Sequence, residues 1–257
     1  MRIVTLFFRT SVKTGAHKRY LELLTEFNKI GHEVLLLHWK DVTYQLPKVQ
    51  RISFSQKINY HTNDYIECFT IICNRNKIKK EIKNADCIFV FGEGNFLQAL
   101  LISKILGNIP IITAVRSNFV EAAIKVQKAF VVNSIIRKSL RYINLKRLVL
   151  LEKLILKKSQ GIILQTEYDA RSILQRNPRS TTHYEIVPNS INASWIKENT
   201  AEKNRSTVCR KLIYVGSIGK RKGFYFLFTA VRKLIEEGYD ISLEVCGKGR
   251  KTKEIWV

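Results

Sequence analysis

Short apolar runs alternate with helical stripes from the first residues of the chain, and this alternation restricts the fold more than any other feature. Ile3-Val4-Thr5-Leu6-Phe7-Phe8 is apolar at nearly every position, the pattern of a strand covered on both faces. Tyr20, Leu24, Phe27 and Ile30 follow at spacings of four and three, with Gly31 placed to end a helix in the left-handed conformation. Glu33 to Trp39 is a second apolar run. Strand, helix and strand in this order make a βαβ unit, which requires a parallel sheet and a right-handed crossover. The pattern resumes with strands expected at Cys87–Phe91, Pro110–Val115, Gly161–Thr166 and Glu185–Val187. Helices are expected through Phe96–Ile105, in a long stretch ending near Lys158, and over Tyr168–Gln175. Between residues 40 and 75 the period is ambiguous: Ile52-Ser53-Phe54 and Ile66–Cys73 each fit a strand or a short helix. The expected class is α/β.

After Val187 the composition changes. Pro188 to Arg210 is rich in Asn, Ser, Thr and Lys, as linkers are. A fresh βαβ follows, with Lys211–Val215, a stripe of Leu227, Ala230, Val231, Leu234 and Ile235, and then Ile241–Val245. The 257 residues divide into a complete N-terminal domain over 1–190, a linker over 191–210 and a second domain from 211 to 257. The second stretch, about 48 residues, is too short to bury an independent core, so it reads as a partial domain.

Composition excludes several classes. Apolar residues make up 46% of the chain, with only 12 Gly and 4 Pro, which rules out low-complexity, collagenous and disordered proteins. No run of about 18 apolar residues exists, so no spanning helix is expected. The amino terminus lacks the pattern of a signal peptide, and five cysteines without a C-x-x-C pair fit a reducing cytoplasm rather than a disulfide framework or a zinc site. No metal is expected, because His17, His32, His38, His61 and His183 show no ligand spacing.

The charge is lopsided. Lys and Arg number 44 against 21 Asp and Glu, a net +23. Two readings stand open: a polyanionic neighbour, or lysines that are simply solvated. The densest run lies in residues 134–158, where eight Lys/Arg face one acid, Glu152. There Lys146, Lys153 and Lys157 share one helical face, with Leu148, Leu151 and Ile155 opposite. An anionic membrane surface fits that face, and so does plain solvent. No nucleic-acid module is recognisable, and none is expected to bind.

Between a strand and a helix lies Gly216-Ser217-Ile218-Gly219-Lys220-Arg221-Lys222-Gly223. Glycines let backbone N–H groups approach an anion, the helix start adds its positive end and three cations add countercharge. The loop suits a diphosphate, though it is no P-loop, and an ordinary basic turn is the equal alternative. Gly92-Glu93-Gly94 and Gly247-Lys248-Gly249 follow strands without completing G-x-G-x-x-G, and read as tight turns. Glu93, at a strand's carboxyl end, is a candidate cleft residue.

Several segments, in order, resemble the retaining glycosyltransferases of GT-B fold, family 4. These are Gly15-Ala16-His17-Lys18-Arg19-Tyr20-Leu21 with Gly31-His32-Glu33-Val34; Glu152 with Gly161–Glu167; Ile186-Val187-Pro188-Asn189-Ser190-Ile191-Asn192; Leu212–Ser217 with Lys222-Gly223; and Leu243–Gly249. The resemblance implies two Rossmann-like domains, a UDP- or GDP-linked sugar donor held mainly by the second, and a glycan or lipid-linked acceptor on the first. The implied reaction is sugar transfer with retention and no cofactor. It implies catalytic roles for Lys222 and Arg221 on the donor diphosphate, and donor phosphate contacts from Gly15, Gly216 and Ser217. Three departures qualify it. Ser217 stands where the family has arginine, Arg116 stands where it has a histidine, and the family's carboxy-terminal Glu-x7-Glu region has no counterpart. Arginine cannot act as a base at neutral pH, so Arg116 is expected to orient an anionic acceptor or phosphate. The third departure sets an inactive, truncated fragment that binds a membrane or partner beside the enzyme reading.

Overall fold

The computed structural model describes residues 1–8, 15–40, 48–54, 64–129, 135–189, 210–219 and 222–247. The chain forms two compact units, Met1–Ser190 and Ile191–Val257.

Seven strands make the sheet of the first unit: β1 (Arg2–Phe7), β2 (Glu33–Trp39), β3 (Gln50–Phe54), β4 (Cys87–Phe91), β5 (Ile111–Ala114), β6 (Gly161–Leu164) and β7 (His183–Ile186). Their spatial order is β3-β2-β1-β4-β5-β6-β7, and every pairing is parallel. Among the described residues seven helices accompany them: α1 (Gly15–Lys29), α2 (Asp64–Cys73), α3 (Arg75–Glu81), α4 (Phe96–Ile105), α5 (Phe119–Ala129), α6 (Ile135–Lys158) and α7 (Glu167–Arg176). The ambiguous region resolves into strand at Ile52–Phe54 and helix at Ile66–Cys73. The long helical stretch before β6 is two helices, α5 and α6.

Both faces of the sheet are covered, which is why its strands read as unbroken apolar runs. Val4, Leu6, Leu35, Leu37, Ile88 and Val90 face a layer that includes Ile71, Ile78, Phe96, Ile102, Ile155 and Ile173. Ile3, Phe7, Val34, Leu36 and Phe89 pack on the other side with Tyr20, Leu21 and Leu24 of α1. Thr5, the buried polar residue of β1, donates to the Phe89 carbonyl at 2.8 Å and hydrogen-bonds the Tyr20 hydroxyl, so its burial leaves no group unpaired. Gly31 ends α1 at φ 90°, the left-handed region. There the His32 amide donates to the Phe27 carbonyl at 3.0 Å and the Gly31 amide to Asn28 at 3.2 Å, the two bonds of a Schellman motif.

The second unit carries a parallel pair, β8 (Lys211–Val215) and β9 (Ser242–Cys246), joined through α8 (Phe224–Glu236). Phe224 and Val231 are buried, while Val215 is 78% and Phe226 81% exposed, so much of its apolar surface is uncovered.

Candidate functional site

In an open parallel sheet, ligands sit beyond the carboxyl ends of the strands, at the point where the strand order reverses. Here that point lies between β1 and β4. Gly15 opens α1 beyond β1. Beyond β4 come Gly92, at φ 88°, and a single 3₁₀ turn, Glu93–Asn95. Glu93 is half-buried, and burial pushes its carboxyl above the usual range. It forms no ion pair with Arg116 among the described residues.

Arg116 lies just past β5. Its guanidinium sits over the Phe91 ring, 4.7 Å from the centroid, and donates to the Asn189 side-chain oxygen. Asn189 in turn donates to Gln165 Oε1 at 3.2 Å, so the ends of β4, β5, β6 and β7 are tied together through this arginine. Its Nε–H is buried with no hydrogen-bond partner among the described residues. Burial first, and then the neighbouring charge of Arg19, lower its pKa. Two cations close together and an unspent buried donor make this edge receptive to an anion's oxygen. An orphaned buried donor costs about 1–3 kcal/mol, which such an oxygen would recover.

In the second unit, Gly216 follows β8, and its amide donates to the Cys246 carbonyl at 3.0 Å. A Cβ on Gly247 would lie 1.7 Å from the Gly216 carbonyl oxygen, so the two turns approach more closely than any side chain permits. Tyr214 braces the loop by donating from its hydroxyl to the Ser217 carbonyl at 2.8 Å, and Ser217 itself is exposed. Lys222 is exposed too, its amide donating to the Gly219 carbonyl at 3.2 Å. Gly223, at φ 71°, is the N-cap of α8 and supplies no capping side chain. Among the described residues no side chain caps the first amides of α8, and Lys222 lies beside them. Arg221 lies outside the described residues. Gly216, Ser217 and Lys222 thus share one turn of the second unit, while Gly15, Glu93 and Arg116 share one edge of the first.

A second polar cluster escaped the sequence reading. Glu121 on α5 accepts from the Tyr168 hydroxyl at 2.5 Å and from Ser172 at 3.0 Å, and pairs with Lys125 at 2.6 Å. Those partners, Lys125 foremost, draw its pKa down to about 2. Nearby, buried Glu152 is held by Arg176 and Asn177. Glu152 is part of the family resemblance; here it ties α6 to α7. Among the described residues no three His, Cys, Asp or Glu side chains gather as a metal site requires, and no helix is long and apolar enough to cross a membrane.

No family model and no curated protein matches the sequence. Solved structures do match. A sucrose-phosphate synthase from Thermosynechococcus elongatus superposes with a TM-score of 0.60 at 15% identity, over 96% of this chain and 70% of that one. A lipopolysaccharide outer core galactosyltransferase in its apo form gives 0.55 at 11% identity, over 96% and 68%. The catalytic domain of starch synthase IV from Arabidopsis thaliana, bound to ADP and acarbose, gives 0.54 at 9% identity, again over 96% and 68%. The fold is that of the GT-B glycosyltransferases. At these identities the likeness is one of fold, with a Rossmann-like first unit.

Proposed function

We propose that the chain is a glycosyltransferase that moves a sugar from a UDP- or GDP-linked donor to a glycan or lipid-linked acceptor, with retention of configuration. The observation that carries this reading is the turn from Gly216 to Gly223, in which glycine backbone, Lys222 and an uncapped helix start converge at a strand's carboxyl end. A donor diphosphate fits that chemistry. The ADP held by the starch synthase IV structure supports a nucleotide ligand for this fold. Lys222, aided by Arg221, neutralises the leaving diphosphate, Ser217 holds it through its backbone N–H, and Gly216, whose own amide is spent on the Cys246 carbonyl, leaves room for the phosphates to approach the turn. On the first unit, Arg116 orients an anionic group of the acceptor, with Gly15 and Glu93 on the same edge. The nucleotide belongs to the substrate, so no cofactor is invoked. The cytoplasm is the expected compartment; Cys73, Cys87 and Cys246 are thiols outside any disulfide among the described residues.

The test is sugar transfer or donor hydrolysis by the purified chain over a series of UDP- and GDP-sugars. Lys222→Ala is expected to lower kcat by about 10²–10³-fold, the usual effect of removing one electrostatic stabiliser. Turnover unchanged in that variant would remove the diphosphate assignment. A second reading, a binding module without turnover, is favoured by the uncovered apolar side chains of the second unit, Val215 and Phe226 among them. Silence with every donor, in turnover and in thermal stabilisation alike, would establish it.

A further inference from the structure

Ile143, Lys146, Leu150, Lys153 and Lys157 recur on α6 at spacings of three, four, three and four, so they form one stripe along the helix. The opposite side of α6 is committed to the protein. Glu152 and Ile155 are buried, and Leu145, Leu148 and Leu151 pack against the core. The stripe faces outward, with Ile143 63% and Leu150 66% exposed. A solvated helix face ordinarily mixes both signs of charge. This one carries no acid, because the single carboxylate of α6 is Glu152, buried and taken by Arg176.

The stripe runs into a groove of about 780 Å³ at the amino ends of β6 and β7, the end of the sheet opposite the candidate site. Lys153, Lys157, Arg176, Arg179, Thr182 and His183 are among its walls, and among the described residues no carboxylate lines it, Glu185 reaching only His183 at its edge. Arg176 is spent on Glu152, whereas Lys153, Lys157 and Arg179 form no ion pair among the described residues. Two lysines belong to both groove and stripe.

We propose that this surface docks the chain on an anionic phospholipid bilayer, with the groove taking a headgroup phosphate and Ile143 and Leu150 entering the interface beside it. Cations alone would suit any polyanion. Exposed aliphatic side chains alternating with lysines on one helix face suit the boundary between headgroups and acyl chains. Ile143 and Leu150 give a nucleic-acid base no flat surface for stacking, and the neighbouring Tyr142 ring is occupied by the Lys146 ammonium, 5.3 Å from its centroid. The proposal stands apart from the sugar-transfer reading, since it uses neither the Lys222 turn nor Arg116.

The experiment is co-sedimentation of the 257-residue chain with vesicles of phosphatidylcholine alone or mixed with phosphatidylglycerol. Binding is expected to the mixed vesicles only, and to weaken as salt rises. Lys153→Glu with Lys157→Glu should reduce partitioning on the order of tenfold or more. Ile143→Ser with Leu150→Ser should reduce it too, leaving the salt dependence in place. Lys79→Glu with Lys80→Glu on α3 makes the same change in net charge and should leave binding nearly unaltered. Far-ultraviolet circular dichroism of each variant secures the fold, and the milder Lys153→Gln with Lys157→Gln stands in for a reversal that does not fold. Equal loss in the α3 control would reduce the effect to net charge and overturn the proposal. Equal binding to pure phosphatidylcholine would overturn it as well, as would preference for a nucleic-acid duplex over mixed vesicles at matched salt.

Discussion

Arg176 donates to both oxygens of Glu152, at 3.1 and 2.7 Å, and Asn177 adds a third bond at 2.8 Å. The same guanidinium reaches Asn118 at 2.8 Å and Ser172 at 2.7 Å, so one arginine joins α6, α7 and the start of α5. Removing the carboxylate would leave a largely buried cation unpaired. Glu152→Ala is expected to cost about 3 kcal/mol. In a unit of this size that lowers Tm on the order of 10 °C, read by circular dichroism. Glu121 answers to pH instead. Its native pKa, about 2, lies below the ordinary carboxylate value, so its contribution to stability is complete above pH ~4.5 and fades as pH falls toward 2. Acid unfolding profiles should show this as a slope between those limits, and Glu121→Gln should flatten it. An unaltered slope in that variant would assign the acid response to other carboxylates.

Among the elements, the strands were legible because burial on both faces leaves little room for polar residues, as the fully buried run Val34–Leu37 illustrates. Helix α2 was hidden for the opposite reason. Tyr65, Phe69 and Ile72 are exposed on its outer side, so apolar residues surround the helix and erase the stripe that marks one. On α6 the sequence showed the lysine face and missed Ile143 and Leu150 within it, since exposure is not written in spacing. For the site, the glycine-rich turn was plain from local residue types. The Arg116–Asn189 contact spans 73 residues of chain, and nothing local encodes it. The turns after β8 and β9 carry their own prediction. Gly247→Ala must push β9 away from the Gly216 carbonyl, at about 1–3 kcal/mol. The urea midpoint should fall, and stabilisation by a bound donor should weaken, because Gly216 belongs to the proposed diphosphate turn. A variant with wild-type midpoint would mean that the two turns separate freely.

At the scale of the molecule, the first unit rests on one sheet whose order places the earliest strand in the middle. β1 pairs with β2 along one edge, Ile3 opposite Val34, and with β4 along the other, Ile3 opposite Cys87. The first partner follows within forty residues, and the second more than eighty residues downstream. Chain growth at about 5–20 residues per second puts several seconds between the two. During that interval the emerging protein displays a long aliphatic edge, with the Val34–Leu37 run beside it, and no strand to cover it. Newly made chains are therefore most open to association at the ribosome, before Cys87–Phe91 has emerged, and a holding chaperone would have its greatest effect there.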